Sequence, residues 1–197
     1  HAPKQRDGPW AEGHAAAEAA LRAADAIVCL NPADAPMVDA IRDPSSPRIL
    51  VPPFIDVPRF VDDGRGAAAR TTARSVAPPE ASPRLVTVAM MRPGDKLASY
   101  ESLGRALALL ATRPWHLVVV GDGHARADVE GAFAAVRDRV RFVGVQPPAV
   151  IAALHEGADV FVWPAIAEPI GLAMLEAQAC GLPVVAGRRP GTEAIVV

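Results

Sequence analysis

The amino-acid sequence predicts an α/β fold in which a Rossmann-like parallel sheet has helices on both faces. Three stretches carry this prediction, and each consists of a short β-branched run, a loop with glycine or proline, and a segment of helical pattern. They begin near residues 85, 115 and 160. Strand, loop and helix in this order form the repeating unit of parallel sheets. We therefore expect ligands to bind where the strands end and the helices begin.

Composition and charge exclude several classes of protein. The chain has 197 residues, of which 51% are hydrophobic and 21% charged, so it can bury the core of a globular domain. Its formal net charge is -2 and its arginines are scattered, which disfavours nucleic-acid binding. Cys29 and Cys180 stand far apart without a histidine or cysteine partner at ligand spacing, so neither a disulfide nor a zinc site is predicted.

Missing sequence patterns also limit where the protein is expected and which reactions it is expected to catalyse. No apolar run is long enough to cross a bilayer and no signal-peptide pattern opens the chain, so we expect a cytoplasmic location without a transmembrane segment. No serine or cysteine stands in a nucleophile turn, which disfavours acyl transfer. The glycine turn at residues 121–123 lacks the third glycine of a dinucleotide-binding loop, so NAD is not expected.

Two carboxylates stand in the stretch 160–185, whose pattern indicates a strand, a loop, a helix and a further strand. Glu168 lies in the loop, where a strand ends and a helix begins, and the residues after it can present backbone amides to an anion. Glu176 lies within the helix among apolar neighbours, so its charge needs a partner. That partner is a neighbouring arginine, water at the helix edge, or a polar ligand such as a pair of sugar hydroxyls.

Two cations occupy the corresponding loop of an earlier unit. Arg92 and Lys96 follow the strand expected at residues 85–90 and come just before or at the start of a helix expected at residues 97–110. Cations beside a helix N-terminus suit a diphosphate, although loop cations are more often simply solvated. The residues alone leave both interpretations open.

The carboxylate stretch resembles a known family pattern. Glu168, Gly171 and the run that starts at Glu176 and ends at Val185 are similar to the E-x7-E signature of nucleotide-sugar-dependent glycosyltransferases of the GT-B type, family 4. The resemblance extends over residues 20–197. It implies a retaining transfer of a sugar from a nucleoside diphosphate sugar to an acceptor hydroxyl, with no further cofactor and no metal.

The resemblance also implies roles for individual residues. Arg92 and Lys96 would hold the leaving diphosphate and, with Glu168, form the catalytic set. Glu168 would address the sugar ring, and Glu176 would bind the ribose hydroxyls. Further substrate contacts are implied in three loops, from Gly121, Asp122, Gly123, Val143, Gly144, Ile170, Gly171 and Leu172.

A division of the chain follows from the same resemblance. Residues 1–51 would be a remnant of an acceptor-side α/β domain, residues 52–83 an interdomain crossing segment and flexible connection, and residues 84–197 a donor-binding domain truncated at its C-terminus. The prolines between residues 52 and 60 also disfavour a helix there. We expect such a fragment alone to be inactive and prone to self-association. For the full-length enzyme, the resemblance also allows a location at the membrane surface.

Two other functions fit the same pattern. A nucleotide-sugar epimerase has a similar two-half architecture and would act on the donor without an acceptor. A non-catalytic nucleotide-binding or assembly module would bind the donor or a partner and turn over nothing. The sequence names neither the nucleoside, nor the sugar, nor the acceptor.

Overall fold

The computed structural model describes residues 8–76 and 83–196. The chain forms two compact units, His1–Pro53 and Phe54–Val197. The boundary between them lies two residues beyond the expected boundary after residue 51. The assignment of the first unit to an acceptor side and of the second to a donor side stays a prediction.

The first unit is a small α/β segment. Its elements are the 3-10 helix Gly8–Trp10, α1 (Ala11–Ala23), β1 (Ile27–Cys29), the 3-10 helix Pro32–Asp34, α2 (Ala35–Ile41) and β2 (Arg48–Leu50). The two strands pair in parallel, and Ile27, Cys29 and Val38 form the small core. Asn31 caps the 3-10 helix after β1, because its side chain accepts a hydrogen bond from the backbone N of Ala33 at 2.9 Å.

The second unit contains a five-stranded sheet. Its strands are β3 (Arg84–Val88), β4 (His116–Val120), β5 (Val140–Phe142), β6 (Val160–Trp163) and β7 (Val184–Ala186). Its helices are α3 (Val57–Gly64), α4 (Ala67–Val76), α5 (Asp95–Ala108), α6 (Arg126–Ala132), the 3-10 helix Ala134–Arg139, α7 (Pro148–Gly157), α8 (Leu172–Ala179) and α9 (Pro190–Glu193).

The order of the strands determines where a ligand can bind. All pairings in this sheet are parallel, and the order is β5-β4-β3-β6-β7. The chain runs outward from the central β3 through β4 to β5, and then crosses back to place β6 on the other side of β3. This reversal opens a crevice at the carboxyl ends of β3 and β6, which is where open α/β sheets bind ligands. The predicted fold class is confirmed.

The core of the second unit lies between the sheet and two groups of helices. Val86, Leu117, Val119 and Phe161 of the strands are almost completely buried. Helix α5 packs with α6, whereas α3, α4 and α8 pack with α7. Because crossovers between parallel strands are right-handed, these two groups cover opposite faces of the sheet.

The prediction that no helix forms at residues 52–60 is wrong. Helix α3 starts at Val57, and Pro58 falls in its first turn. Proline is tolerated there because the N–H group that it lacks would have no partner within the helix. The side chain of Asp56 caps the helix by accepting a hydrogen bond from the backbone N of Arg59 at 3.3 Å.

The expected flexible connection is also wrong over its described part. Residues 67–76 form α4, which packs on α7 and buries Ala69 and Ala73. The polar composition of this stretch belongs to the outer side of a short amphipathic helix, and two small side chains are enough for close packing on a neighbour. Residues 77–82 of the expected connection lie outside the described residues.

Candidate functional site

A cavity of about 450 Å³ lies at the carboxyl end of the sheet, where β3, β4 and β6 lead into loops. Its wall includes the predicted site residues Arg92, Lys96, Gly121, Asp122, Glu168, Ile170, Gly171 and Leu172. Four other predicted residues, Gly123, Val143, Gly144 and Glu176, do not line it. The structure therefore brings both predicted cations together with one of the two predicted carboxylates.

Lys96 and Glu168 form an ion pair in this cavity. The Lys96 Nζ donates to Glu168 Oε2 at 2.5 Å, and the two side chains are only 21% and 13% exposed. Trp163 contacts both partners, because its Nε1 donates to the same Glu168 oxygen at 3.2 Å and its ring centroid lies 5.4 Å from Lys96 Nζ. Removing one partner of such a shielded pair leaves the other charge uncompensated, so the two side chains depend on each other.

The loop that carries Glu168 is held in a costly backbone conformation. Ala165 and Ala167 have φ angles of 56° and 50°, a left-handed conformation that costs roughly 1–2 kcal/mol for a residue with a Cβ. Helix α5 fixes the loop, because Ser99 Oγ accepts a hydrogen bond from the backbone N of Ile166 at 3.0 Å. The same helix supplies Lys96. The position of Glu168 is thus determined by contacts between two strand-loop-helix units.

Arg92 lies in the loop between β3 and α5, and its side chain is exposed at the cavity. Its backbone carbonyl accepts a hydrogen bond from the N of Leu97 at 3.1 Å, which closes the first turn of α5. Among the residues that the structure describes, no carboxylate pairs with the Arg92 guanidinium. This cation is therefore available to an anionic ligand.

The glycine turn after β4 has a packing function. A Cβ atom added to Gly121 would lie 2.0 Å from the Ala89 carbonyl oxygen, and one added to Gly123 would lie 2.2 Å from the Met91 carbonyl oxygen. Both glycines also have positive φ angles, of 132° and 151°. Only glycine allows the turn to lie this close to the loop that carries Arg92. Asp122 of the same turn reaches the cavity wall.

Val143 and Gly144 follow β5 and lie behind the glycine turn. The Gly144 carbonyl accepts a hydrogen bond from the backbone N of Gly121 at 2.8 Å, and the Val143 carbonyl accepts one from the Gln146 side chain at 2.6 Å. These residues support the cavity wall, and their neighbour Gln146 forms part of it. The predicted contact of Val143 and Gly144 with the substrate stays a prediction.

Glu176 lies on α8 and is partly buried away from the cavity wall. Burial raises the pKa of its carboxyl group above the usual value, and no described residue donates a hydrogen bond to it. The neighbouring arginine considered from the sequence is thus not found within the described part of the chain. The predicted ribose contact also stays a prediction.

Trp163 is a site residue that the sequence interpretation missed. It is the last residue of β6, only 4% exposed, and it lines the cavity. The sequence feature that could have identified it is its position at the carboxyl end of a predicted strand, next to Pro164. A tryptophan there brings an N–H group that must find an acceptor when the ring is buried.

A second cavity, of about 260 Å³, lies near the amino end of β3 between α4 and α7. Arg70, Arg74 and Arg84 line it together with Glu156. Arg84 is tied to Asp159, since the carboxylate accepts a hydrogen bond from the Arg84 backbone N at 2.7 Å and lies 3.6 Å from its Nε.

Over the described ranges, no three His, Cys, Asp or Glu side chains gather into a cluster that could hold a metal ion. In the same part of the chain, no helix combines the length and the apolar character that a membrane span requires. The expectations of no metal, no cofactor and a cytoplasmic location stay predictions.

A parallel sheet with a charged cavity at its switch point is typical of α/β proteins that bind polar ligands at the carboxyl ends of their strands. The chain belongs to the group 1 glycosyl transferases, because the family model of that description matches residues 82–197. The resemblance seen in the sequence is confirmed at the level of the family.

Curated relatives support this assignment. The D-inositol 3-phosphate glycosyltransferase of Actinosynnema mirum is 33% identical over 151 residues, which cover 70% of this chain and 34% of that protein. The enzyme of the same name from Kineococcus radiotolerans is 32% identical over 191 residues, which cover 90% of this chain and 42% of that protein. The chain spans about a third of the length of the curated relatives that it matches.

Solved structures show the same fold. The sucrose-phosphate synthase of Thermosynechococcus elongatus matches with a TM-score of 0.71 and 25% identity, covering 94% of this chain and 45% of that one. A glycosyltransferase of Rickettsia africae ESF-5 matches with a TM-score of 0.69 and 16% identity, covering 87% of this chain and 47% of that one. These neighbours are glycosyltransferases of the GT-B type, so the predicted fold family is confirmed.

Proposed function

We propose that this chain is the donor-binding half of a retaining glycosyltransferase, which moves a sugar from a nucleoside diphosphate sugar to an acceptor hydroxyl. One observation carries the proposal: Arg92, Lys96 and Glu168 converge in one cavity at the carboxyl ends of β3 and β6. Two cations and a carboxylate at this place suit a ligand that has an anionic end and a hydroxyl-rich end.

The anionic end would lie on the β3 side of the cavity. Arg92 and Lys96 flank the start of α5, and the N-termini of α5 and α8 both open at this end of the sheet. Helix N-termini favour anions because their first backbone N–H groups have no partner within the helix. A diphosphate placed there meets two side-chain cations and two helix ends of positive partial charge.

The same cations explain how the leaving group would be stabilised. The bond between the sugar C1 and the diphosphate oxygen breaks, and its electron pair stays with the diphosphate, whose negative charge grows. Fixed cations bind this charge more tightly in the transition state than in the ground state, which lowers the barrier. The acceptor oxygen forms the new bond to C1, and its proton passes to the departing diphosphate oxygen, which becomes more basic as its bond to C1 breaks.

Glu168 would face the sugar. Lys96 neutralises it in the ion pair, and a diphosphate would compete for the same ammonium group. Once Lys96 turns to the diphosphate, the Glu168 carboxylate needs new donors, and sugar hydroxyls supply them. Donor binding thus replaces the Lys96–Glu168 ion pair by contacts of Lys96 with the diphosphate and of Glu168 with the sugar hydroxyls. Neither shielded charge is left without a partner. The retained configuration is carried over from the family resemblance.

The acceptor is proposed from the relatives. Proteins named D-inositol 3-phosphate glycosyltransferase cover most of this chain, and a 2-deoxystreptamine glucosyltransferase of Streptomyces kanamyceticus is 40% identical over 78 residues, which are 39% of this chain and 20% of that protein. Both names point to ring compounds with several hydroxyl groups. D-inositol 3-phosphate is therefore the first acceptor to test.

Calorimetric titration tests the donor site directly. The diphosphates of uridine, guanosine and adenosine, and their glucose esters, are titrated into the chain. We expect one nucleoside to bind as its diphosphate and as its sugar ester, with only weak binding of the free nucleoside. Binding of none of the six compounds would contradict the proposal.

A transfer assay then separates the other functions. Labelled sugar is offered on the best donor with and without D-inositol 3-phosphate, and products are separated by chromatography. We expect this chain alone to bind donor without transfer, since the chain spans about a third of its relatives. Epimerised donor would indicate an epimerase, and efficient transfer by the chain alone would contradict the assignment to a donor-binding half.

A further inference from the structure

Trp163 connects the ion pair of Lys96 and Glu168 to the interior of the protein. Its Nε1 donates to Glu168 Oε2, and its ring lies under the Lys96 ammonium, as described above. A single side chain thus touches both members of the ion pair. The contact with Glu168 is a hydrogen bond to a charged acceptor, which is stronger than one between neutral groups.

The interior holds Trp163 firmly. Its ring packs edge to face on Tyr100, with ring centroids 4.9 Å apart and planes at 75°. Tyr100 is fully buried, and its hydroxyl donates to the Ala89 carbonyl at 2.8 Å. The backbone of Trp163 is fixed as well, because its carbonyl accepts a hydrogen bond from the N of Gly187 at 3.1 Å. A row of contacts therefore runs from the end of β3 through two aromatic rings to the Glu168 carboxylate.

Another tryptophan of the same unit shows what a purely structural ring does. Trp115 is also 4% exposed and also has a cation over its ring, the Arg139 guanidinium at 5.4 Å. Its Nε1, however, donates to a backbone carbonyl, that of Leu110, at 3.0 Å. Backbone carbonyls are the common partners of buried indoles. Trp163 instead gives its N–H to a carboxylate on a cavity wall.

We infer that Trp163 is a positioning residue, which keeps the Glu168 carboxylate aimed at the sugar when the donor diphosphate draws Lys96 away. The assignment of Glu168 to the sugar rests on the proposed function. The Trp163 hydrogen bond does not, because it joins two side chains of the chain itself. When Lys96 binds the diphosphate instead, Trp163 is the side chain that still donates a hydrogen bond to Glu168 among the described residues.

The hydrogen bond is tested without any ligand. Indole N–H resonances of the 15N-labelled chain are assigned with Trp10→Phe and Trp115→Phe, which identify the signal of the third tryptophan, Trp163, by elimination, and are then recorded in Glu168→Ala. We expect the Trp163 indole proton to move upfield, since it loses a charged acceptor, while the Trp115 resonance stays in place. An unmoved Trp163 resonance would overturn the inference, whether or not the chain binds a nucleotide.

The positioning role is tested by two affinities. Uridine diphosphate and its glucose ester, or the guanosine or adenosine pair if that one binds better, are titrated into Trp163→Phe. We expect the sugar ester to bind about tenfold more weakly, the effect of one hydrogen bond to a charged group, and the diphosphate to bind as before. Phenylalanine keeps an aromatic ring beside Lys96 and Tyr100.

Trp115→Phe is the matched control, because it removes the same kind of group from an equally buried ring. We expect it to lower the melting temperature without changing either affinity. Equal losses for both ligands in Trp163→Phe, or no loss for either, would refute the positioning role. If the unaltered chain binds neither ligand, the proposed function fails and the indole resonances alone decide on Trp163. They also decide if Trp163→Phe does not fold, because Glu168→Ala retains both rings.

Discussion

The two cavities of the second unit lie at opposite ends of the sheet and differ in their charges. The amino-end cavity has three arginines in its wall, Arg70, Arg74 and Arg84, against a single glutamate. The carboxyl-end cavity has two cations, and one of them is already paired with Glu168. A count of charges alone would place an anionic ligand at the amino end.

The direction of the helices reverses that choice. Helices α4 and α7 turn their C-terminal halves toward the amino-end cavity, and helix C-termini carry negative partial charge. Helices α5 and α8 open their N-termini at the other cavity. Two of the three arginines at the amino end are also engaged, since Arg70 donates to the Arg65 carbonyl and Arg84 is paired with Asp159. The proposed function therefore places binding at the carboxyl end and leaves the amino end a structural role.

The largest expected effect lies next to the amino-end cavity, at His155 of α7. The ring is 1% exposed between Phe60 and Phe161, and neither ring nitrogen has a hydrogen-bond partner among the described residues. Burial lowers the pKa of His155 from 6.5 to about 4, and the nearby Glu176 carbonyl opposes this shift only in part. The free energy of unfolding should therefore fall by about 3 kcal/mol between pH 6.5 and pH 4, because only the unfolded chain binds the proton there.

Urea denaturation across this pH range measures the effect of His155. The matched variant is His155→Leu, which cannot titrate and suits the aromatic surroundings. Its free energy of unfolding should fall less steeply between pH 6.5 and pH 4 than that of the unaltered chain. Identical slopes for both chains would mean that the buried imidazole does not control acid stability.

Lys96→Ala should have the next largest effect, on binding at the carboxyl end. We expect the affinity for the best-binding nucleoside diphosphate to fall about 100-fold, since a charged partner of the diphosphate is lost. Arg84→Ala is the control, because it removes a cation from the other cavity. If Arg84→Ala lost as much affinity for the diphosphate as Lys96→Ala, binding could not be assigned to the carboxyl end alone. Calorimetry supplies both affinities.

Arg92→Ala should have a smaller effect of the same kind. Its guanidinium is exposed, so solvent screens its attraction for the diphosphate, and we expect about a tenfold loss. The free nucleoside should bind Arg92→Ala and the unaltered chain equally weakly. If the affinities for nucleoside and diphosphate fall by the same factor, Arg92 does not contact the diphosphate.

The smallest effect is expected for stability in Arg84→Ala. The Arg84–Asp159 pair links the starts of β3 and β6, but the Asp159 side chain is 51% exposed. Exposed ion pairs contribute at most about 1 kcal/mol, and the backbone hydrogen bond of Arg84 to Asp159 survives the substitution. Urea denaturation at neutral pH measures this difference. A loss of several kcal/mol would show that this pair is central to the sheet.

Sequence patterns predicted the parts of the site that are local in the chain. The strand-loop-helix pattern correctly placed Arg92 and Glu168 in loops after strands and Lys96 near the start of a helix, and parallel strands bring such segments to one edge of the sheet. The Lys96–Glu168 pair could not be predicted in the same way, since its members are 72 residues apart and meet only through the order of the strands.

Packing between distant elements explains the errors. The helices α3 and α4 were missed because proline and polar residues outnumber apolar ones there, whereas their stability comes from contacts with α7. Trp163 fell within the strand predicted at the start of the stretch 160–185, and only the folded chain shows which acceptor its N–H reaches. The glycine turn was predicted from family resemblance, but its closeness to the Ala89 and Met91 carbonyls emerged from the structure.

The central claim is that a nucleoside diphosphate binds at the carboxyl end of the sheet. Backbone amide resonances of the 15N-labelled chain, recorded during titration with uridine diphosphate or whichever nucleoside diphosphate binds most tightly, test it most directly. We predict that the shifted resonances cluster in residues 92–97, 121–123 and 168–173, which surround Lys96 and Glu168. Shifts confined to the surroundings of Arg70, Arg74 and Arg84 at the amino end would contradict the account.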